Sequence, residues 1–351
     1  MAVAPKLSTP TATQRTRVSH RRGLLAGRSG NILESAMLPV AFVLLIIAFT
    51  IATPSFFTAA NFSSVLGSQA VLFVLALALL IPLTNGDIDL SVGSLSGLVS
   101  MVVAVLNTKA GVNIWLCCLI GLGVGLVGGA INAFLIIRFN ANSFILTLAT
   151  GTVFVGLIEW ISGEQTITGV SSDLVQIVFY NDLFGIPWEF YIGIIIMLIV
   201  WYVLTFTPFG QRALFVGQSR QVARLSGFPV ARARAYGFII AGFMAAISGL
   251  LFVGTQASAS PGDGNILLLP AYAAAFLGLT TIQPGRFNAI GTGIAVYFLA
   301  FGVSGFQLLG AQIYIQQIFY GVILAIAILL SRVLSKRRYG GGTDESFIET
   351  E

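Results

Sequence analysis

Residues 70–94 read AVLFVLALALLIPLTNGDIDLSVGS. Residues 70–84 carry no charged side chain, and with the residues from 64 onward they reach the length of about 20 mostly apolar residues that a transmembrane helix needs. The apolar run stops at residue 85, and Asp87, Asp89 and Ser91 follow before the next apolar run takes over. The stretch therefore predicts two membrane helices joined by a short acidic segment.

The composition of the whole chain agrees with a membrane protein. Of the 351 residues, 56% are hydrophobic and only 9% are charged, whereas soluble domains carry about 25% charged residues. A soluble enzyme, a nucleic-acid-binding protein and a disordered chain are excluded on this ground. Cys117 and Cys118 are adjacent in an apolar run, so we expect neither a disulfide framework nor a metal site.

Ten apolar runs predict an all-α integral membrane protein. The runs do not alternate apolar and polar residues, as the strands of a membrane β-barrel would. We expect crossings near 35–53, 64–84, 91–107, 113–137, 143–162, 189–206, 235–255, 266–281, 288–306 and 312–331. The crossing at 266–281 contains Pro270 and is short, so a re-entrant segment is its alternative.

The distribution of basic residues predicts the orientation of these crossings. Lys and Arg concentrate on the cytoplasmic side of membrane proteins. With ten crossings and both termini cytoplasmic, every Lys and Arg except Lys109 falls on the cytoplasmic side, and loop 163–188 lies outside. We expect a disordered basic tail at 1–34, a transmembrane domain at 35–332 and a cytoplasmic tail at 333–351.

Motifs of known chemistry do not occur in the sequence. We find no Walker A loop, no His or Cys ligand pair and no nucleophile elbow. The one His, His20, lies in the predicted N-terminal tail. We therefore assign no catalytic residue, no metal site and no cofactor, and we expect a transporter or channel and not an enzyme.

The acidic segment after residue 85 has two compatible interpretations. An Asp within a membrane protein is expensive to insert and indicates function by default. Alternatively, Gly86 ends one helix and Asp87, Asp89 or Ser91 caps the next. Both apply if the cap also borders a solute path, because transporters use helix ends inside the membrane as polar sites.

Loop 207–234 predicts a short helix that docks against a partner. Ser219 can cap it, Gly227 can end it in the left-handed conformation, and Pro229 stops its continuation. Such a short helix is unstable alone in water. An ordinary basic loop that touches lipid headgroups is the alternative.

Elsewhere, Gly121, Gly125 and Gly129 share one helix face and predict close helix packing.

Several motifs, in order, resemble those of ribose-type permease subunits of bacterial ABC importers. Segment 86–94, GDIDLSVGS, is similar to the family signature Gly-x-Asp-Leu-Ser-Val-Gly, and TPFG at 207–210 and ARLSG at 223–227 match its cytoplasmic loop. Val216 and Gly217 match the same loop, and the later matches are Gly278, Gly285, Arg286, Gly291, Gln317 and Gly321. The resemblance spans about residues 35–332. One departure is that residues 268–271 read LLPA, where the family usually has Glu-Leu-Asp-Ala.

The resemblance implies a permease with the fold of type II ABC importers. It implies that 35–332 is the permease domain of a multi-pass protein of the bacterial inner membrane. It also implies partners: a second permease subunit in a homo- or heterodimer, two cytoplasmic ATPase subunits, a periplasmic solute-binding protein and the lipid bilayer, without nucleic acid. It also implies that 219–227 is the coupling helix on the ATPase. The coupling candidates are Arg220, Arg224, Leu225, Ser226 and Gly227.

We interpret the chain as the permease subunit of an ATP-driven importer for a small neutral sugar or polyol. The candidates for polar positions along the path are Asp87, Asp89, Ser91, Asn132 and Gln317. The main alternative is an ion-coupled secondary transporter that uses Asp87 and Asp89 as proton or sodium sites. A membrane-embedded enzyme is a third class, and the missing nucleophile, metal and His positions argue against it.

Overall fold

A computed structural model describes residues 23–339, with side chains from 35 to 331. Much of the predicted tails, residues 1–22 with His20 and residues 340–351, lies outside the described residues. In the described part the helices are α1 (Gly23–Ala52), α2 (Ala59–Ser68), α3 (Ala70–Thr84), α4 (Val92–Thr108), α5 (Ile114–Arg138), α6 (Ser143–Ser162), α7 (Ser172–Val175), α8 (Trp188–Phe206), α9 (Pro208–Gln218), α10 (Arg220–Leu225), α11 (Val230–Gln256), α12 (Asp263–Gly278), α13 (Ala289–Leu308) and α14 (Ile313–Tyr339).

Helices occupy all ten predicted crossings, but not all of them have the length of a membrane span. Within the described residues seven helices are long and apolar enough to cross a membrane, namely α1, α5, α6, α8, α11, α13 and α14. Helices α2 and α3, bent by 41° at their junction, form an eighth candidate. Helix α4 has 17 residues and α12 has 16. The coarse architecture is confirmed, and the count of ten crossings is not.

The centre of the bundle is formed by α3, α4 and α11. Every residue of α3 is buried, and α11 packs against α3, α4 and α5. By contrast, the apolar windows of α1 and α14 are only 6% and 11% buried, which leaves broad apolar faces for lipid or partner subunits. The central helices thus isolate a core in which polar groups must find protein partners.

The glycine face of α5 packs as its spacing predicts. A Cβ at Gly125 would lie 2.5 Å from the carbonyl oxygen of Gly242, and one at Gly129 would lie 2.5 Å from that of Phe238. Both contacts are with α11. Side chains larger than hydrogen do not fit there, so the small residues let the two backbones touch.

The predicted short helix in loop 207–234 exists, and a second one precedes it. The Ser219 side chain caps α10 by accepting from the Val222 N–H, and Gly227 follows it with φ +78°. Helix α9 was not anticipated: Thr207 caps it by accepting from the Gly210 N–H, and Pro208 occupies its first turn. The predicted loop is therefore mostly helical.

The loop between α6 and α8 contains three of the four strands of the described chain, and the fourth follows α11. Strand β1 (Ile167–Thr168) pairs with β4 (Ser258–Ala259), and β2 (Asp182–Leu183) pairs with β3 (Ile186–Pro187), both antiparallel. A turn of π-helix covers Gln176–Tyr180. These two-residue strands modify the all-α prediction only locally, and the β1–β4 pair ties this loop to the end of α11.

Candidate functional site

The connection between α3 and α4 is non-helical and lies inside the protein. Gly86 turns the chain with φ +74°, a conformation in which glycine carries no steric penalty. The exposed fractions of Asn85, Asp87, Asp89 and Ser91 are between 0% and 1%. Irregular backbone is tolerated at such depth only where other groups satisfy its polar atoms. We refer to residues 85–91 as the buried segment.

Side chains of neighbouring helices satisfy the backbone of the buried segment. The N–H of Ile88 donates to the Ser143 hydroxyl at 3.3 Å, and that of Leu90 donates to the Thr147 hydroxyl at 3.0 Å, both on α6. From α12, the Tyr272 hydroxyl donates to the carbonyl oxygen of Asp89 at 2.9 Å. The buried segment is thus held by hydroxyl groups instead of by a regular backbone ladder.

Asp89 begins a chain of hydrogen bonds that leads to α6. Its Oδ1 accepts from the Ser91 N–H at 3.0 Å and from the Ser91 hydroxyl at 2.6 Å. Asn132 on α5 donates to the Ser91 hydroxyl at 2.7 Å, and Thr150 on α6 donates to Asn132 Oδ1 at 2.7 Å. Both of these hydrogen bonds of Asp89 go to Ser91, so Asp89 orders the chain just before α4 and does not itself cap the helix. Ser91 occupies the N-cap position without accepting a helix N–H.

Asp87 has a different role from the predicted cap. Arg234 on α11 donates from Nε to Oδ2 and from Nη2 to Oδ1, both at 2.8 Å. Arg220 on α10 donates from Nη2 to Oδ1 at 2.8 Å and to the carbonyl oxygen of Gly86 at 2.8 Å. The capping alternative is thus wrong for Asp87. We call Asp87, Arg220 and Arg234 the Asp87 cluster.

The Asp87 cluster connects distant parts of the sequence. A buried carboxylate needs such charge-assisted partners, because an unpaired charge in the interior is strongly destabilising. Sequence analysis counted Arg234 only as one of the basic residues of loop 207–234. Its position one turn inside α11 and its 8% exposure show that it belongs to the core.

Four of the five path candidates lie together, and one lies apart. Asp87, Asp89 and Ser91 belong to the buried segment, and Asn132 is buried beside it and donates to Ser91, all inside a single subunit. Gln317 is exposed on α14 and makes no hydrogen bond with them among the described residues. Asp89, Ser91 and Asn132 thus form one hydrogen-bonded network, while Asp87 belongs to the separate Asp87 cluster.

The coupling candidates also divide into one residue that contacts the core and four that are exposed. Arg220 faces inward to Asp87, with 34% of its side chain exposed. Arg224, Leu225, Ser226 and Gly227 are exposed, Leu225 at 82%, and they form the free surface of α10. One end of this short helix therefore contacts the core, and the other is available to a partner.

Comparisons with known proteins agree with this architecture. A family model described as "Branched-chain amino acid transport system / permease component" matches residues 61–328. The chain is 33% identical to the ribose import permease protein RbsC of Bacillus subtilis strain 168, over 83% of this chain and 90% of that one. It is 29% identical to RbsC of Escherichia coli K12, over 85% and 94%.

A further relative carries a different name. The chain is 32% identical to the autoinducer 2 import system permease protein LsrD of Yersinia enterocolitica, over 76% of this chain and 81% of that one. No solved structure matches the chain significantly. The ion-coupled alternative has no support in these matches, and the Asp87 carboxylate is already occupied by two arginines.

The family match covers well over half of the chain. A permease component is a transport subunit and not an enzyme, since ATP hydrolysis in these systems belongs to a separate chain. The chain belongs to the branched-chain amino acid transport system permease family, the membrane-embedded permease subunits of ABC transporters.

Proposed function

We propose that this protein is the permease subunit of an ATP-driven importer for a small neutral sugar or polyol. The observation that carries the proposal is the similarity to ribose import permeases over about nine-tenths of their length. The proposal includes a bacterial inner-membrane location. The partners we propose are a second permease subunit, two cytoplasmic ATPase subunits and a periplasmic solute-binding protein.

We propose ten crossings with both termini in the cytoplasm. The arginine-bearing ends of α9, α10 and α11 meet near the end of α3, where Arg220 reaches Gly86. The loop between α6 and α8 instead meets the other end of α11 through β1 and β4. This separation of basic and strand-containing ends supports the orientation that the positive-inside rule predicts.

The solute is proposed as a class and not as ribose itself. Where the resemblance expects two acidic residues, Leu268 packs against Gly93 and Pro270 is buried in α12. A relative named for autoinducer 2 shows that the family's solutes vary. A pentose, a hexose and a polyol all remain within the proposal.

We propose that the solute path runs along α6 and that the buried segment supports it from behind. One face of α6 carries Ser143, Thr147 and Thr150 toward the buried segment. The opposite face exposes the small or polar residues Ala149, Thr152, Gly156 and Glu159, interspersed with the apolar residues Ile145, Leu148 and Trp160. Small and polar residues on an exposed membrane helix favour a water-filled path shared with the second subunit over a lipid contact.

Within this proposal the original path candidates act indirectly. Asp87, Asp89, Ser91 and Asn132 position α6 and α4, while Gln317 is a second exposed polar residue, on α14. A cysteine at position 152, in a protein without Cys117 and Cys118, tests the path. We expect a bulky thiol reagent to block uptake through Thr152→Cys and to spare Val153→Cys, which lies about 100° around the helix.

The function is tested by uptake into vesicles. The permease is reconstituted with the ATPase and solute-binding protein encoded beside it, and labelled ribose, galactose and a polyol are offered in turn. We expect uptake of at least one solute that requires ATP and the binding protein, and none with a hydrolysis-deficient ATPase. Uptake without the ATPase that an uncoupler abolishes would instead establish a secondary transporter.

A further inference from the structure

The two arginines of the Asp87 cluster hold the carboxylate unequally. Arg234 uses two nitrogens on both carboxylate oxygens, and 9% of its side chain is exposed. Arg220 uses one nitrogen on a single carboxylate oxygen, and 34% of its side chain is exposed. A bidentate, buried pair is the stronger of the two contacts. The contact of Arg220 is therefore the one that opens more easily.

The helices that carry the two arginines also differ in how firmly they are packed. Arg234 lies on the 27-residue helix α11, which packs against α3, α4 and α5. Arg220 is the first residue of α10, a helix of six residues whose other end is exposed. The one buried residue of α10, Ala223, packs in a small apolar cluster with Val216, Val230 and Ala233, separate from the main core. Motion of α10 can thus remove Arg220 from Asp87 and leave the main core in place.

Charge balance permits such an opening. Arg234 alone neutralises Asp87, so the departure of Arg220 does not leave a bare carboxylate in the interior. With both arginines in place the cluster carries one net positive charge, and the two guanidinium groups repel each other. The repulsion between the two guanidinium groups therefore weakens the contact of Arg220 with Asp87, although the cluster as a whole is stable.

The Asp87 cluster lies at the start of a continuous series of contacts. Arg220 binds Gly86 and Asp87 at the head of the buried segment. At its tail, Asp89 holds Ser91, which connects through Asn132 to Thr150 on α6. Ser143 and Thr147 bind the middle of the buried segment to the same helix. A displacement of Gly86 can therefore be transmitted to α6 through these contacts.

We propose that Arg220 is a positioning residue and forms a releasable contact between α10 and the buried segment. It is closed when α10 rests against the end of α3, and it opens when the ATPase moves α10, while Arg234 keeps Asp87 paired. The inference rests on the proposed function, and it names the contact by which nucleotide-driven motion reaches α6.

The test compares two arginines of the same short helix. Arg220→Gln removes the contact with Asp87, and Arg224→Gln removes an exposed arginine that has no ion pair among the described residues. Each variant is assembled with the ATPase and binding protein, and four quantities are measured: ATPase retention, melting temperature, ATP hydrolysis and solute uptake. Arg220→Lys tests whether a charge without the guanidinium geometry suffices.

We expect Arg220→Gln to retain the ATPase and to hydrolyse ATP, with solute uptake per ATP reduced at least tenfold. Arg220→Lys should recover part of this ratio, and Arg224→Gln should change it less than twofold. An unchanged ratio in Arg220→Gln would overturn the inference. So would a parallel fall of melting temperature, hydrolysis and uptake, which a purely structural role predicts. Failure of the proposed function looks different, because the unmodified protein would then show no ATP-dependent uptake.

Discussion

Gly217, in the last turn of α9, lies against the backbone of Thr84 at the end of α3. A Cβ at position 217 would stand 2.0 Å from the carbonyl oxygen of Thr84, closer than any real contact permits. The adjacent residues continue the contact, since Gly86 faces Gly217 and Arg220 binds Gly86. The α9–α10 unit is thus seated directly on the end of the central helix of the bundle.

Gly217→Ala should displace this unit. Because the obstructing atom is backbone, the methyl group cannot be accommodated by a rotamer change, and overpacking of this kind costs about 1–3 kcal/mol. We expect a lower melting temperature in detergent and reduced ATP-driven uptake. Gly123→Ala on α5, which has open space around it, is the control and should keep both values. Equal behaviour of the two variants would contradict the contact.

Gly125→Leu should prevent the close approach of α5 and α11. The added side chain would meet the carbonyl oxygen of Gly242 and the side chain of Ala246, so the helices must separate. We expect the amount of folded protein in the membrane to fall several-fold. Gly123→Leu, two residues away on the open side of the same helix, should leave that amount close to normal. Fluorescence-detected size-exclusion chromatography measures both.

Thr150→Val should weaken the hydrogen-bond chain that ends on α6. The substitution preserves the shape of the side chain and removes the donor to Asn132 Oδ1. A buried hydrogen bond contributes about 0.5–1.5 kcal/mol, which predicts a measurable drop in melting temperature. Thr152→Val, on the exposed face of α6, should lower it less. If the two variants melted alike, the network around Asn132 would not stabilise the fold.

Gly227→Val should impair coupling without preventing membrane insertion. Gly227 has φ +78°, where a β-branched residue is strained by about 1–2 kcal/mol, and no atom lies within 4 Å of a Cβ there. The effect is thus conformational and not steric. We expect normal membrane levels and uptake reduced about tenfold, equivalent to about 1.4 kcal/mol. Gly227→Asn, which tolerates this conformation better, should retain more uptake; equal losses would indicate another cause.

Labelling of introduced cysteines should place Asp173 and Gln221 on opposite sides of the membrane. In a protein without Cys117 and Cys118, an impermeant maleimide added to intact cells with a permeable outer membrane should modify Asp173→Cys. Gln221→Cys should react only after the inner membrane is opened. Both positions are exposed, so accessibility does not differ between them within the subunit. Reaction of both from the same side would contradict the proposed orientation.

The sequence was sufficient to predict the features that depend on local chemistry. Apolar runs located a helix at each predicted crossing, because length and hydropathy alone determine whether a segment can be helical in lipid. Ser219, Gly227 and Pro229 located α10, since capping and a left-handed end are properties of single residues. The spacing of Gly125 and Gly129 indicated a close helix contact, but not its partner α11.

Local sequence patterns could not predict the contacts that organise the candidate site. Asp87 and Arg234 are far apart in the sequence, and nothing near either residue identifies the other. The sequence therefore offered Asp87, Asp89 and Ser91 alike as helix caps or path residues, and it did not indicate the two ion pairs of Asp87. Helix α9 was missed because its Thr207-Pro208 start was treated as part of a basic loop. The bend between α2 and α3 at Gln69 directly follows the pair Gly67 and Ser68, a combination at which helices often kink, and it was missed within the predicted crossing 64–84.

The hydroxyl groups that hold the buried segment also make its movements observable. The amide hydrogens of Ile88 and Leu90 are shielded only by Ser143 and Thr147 of α6, whereas those inside α4 are shielded by their own helix. Rotation of α6 would uncover the first two and leave the others protected. Deuterium uptake at the amides of Ile88 and Leu90 would then report this rotation during transport, without any reporter group attached to a side chain.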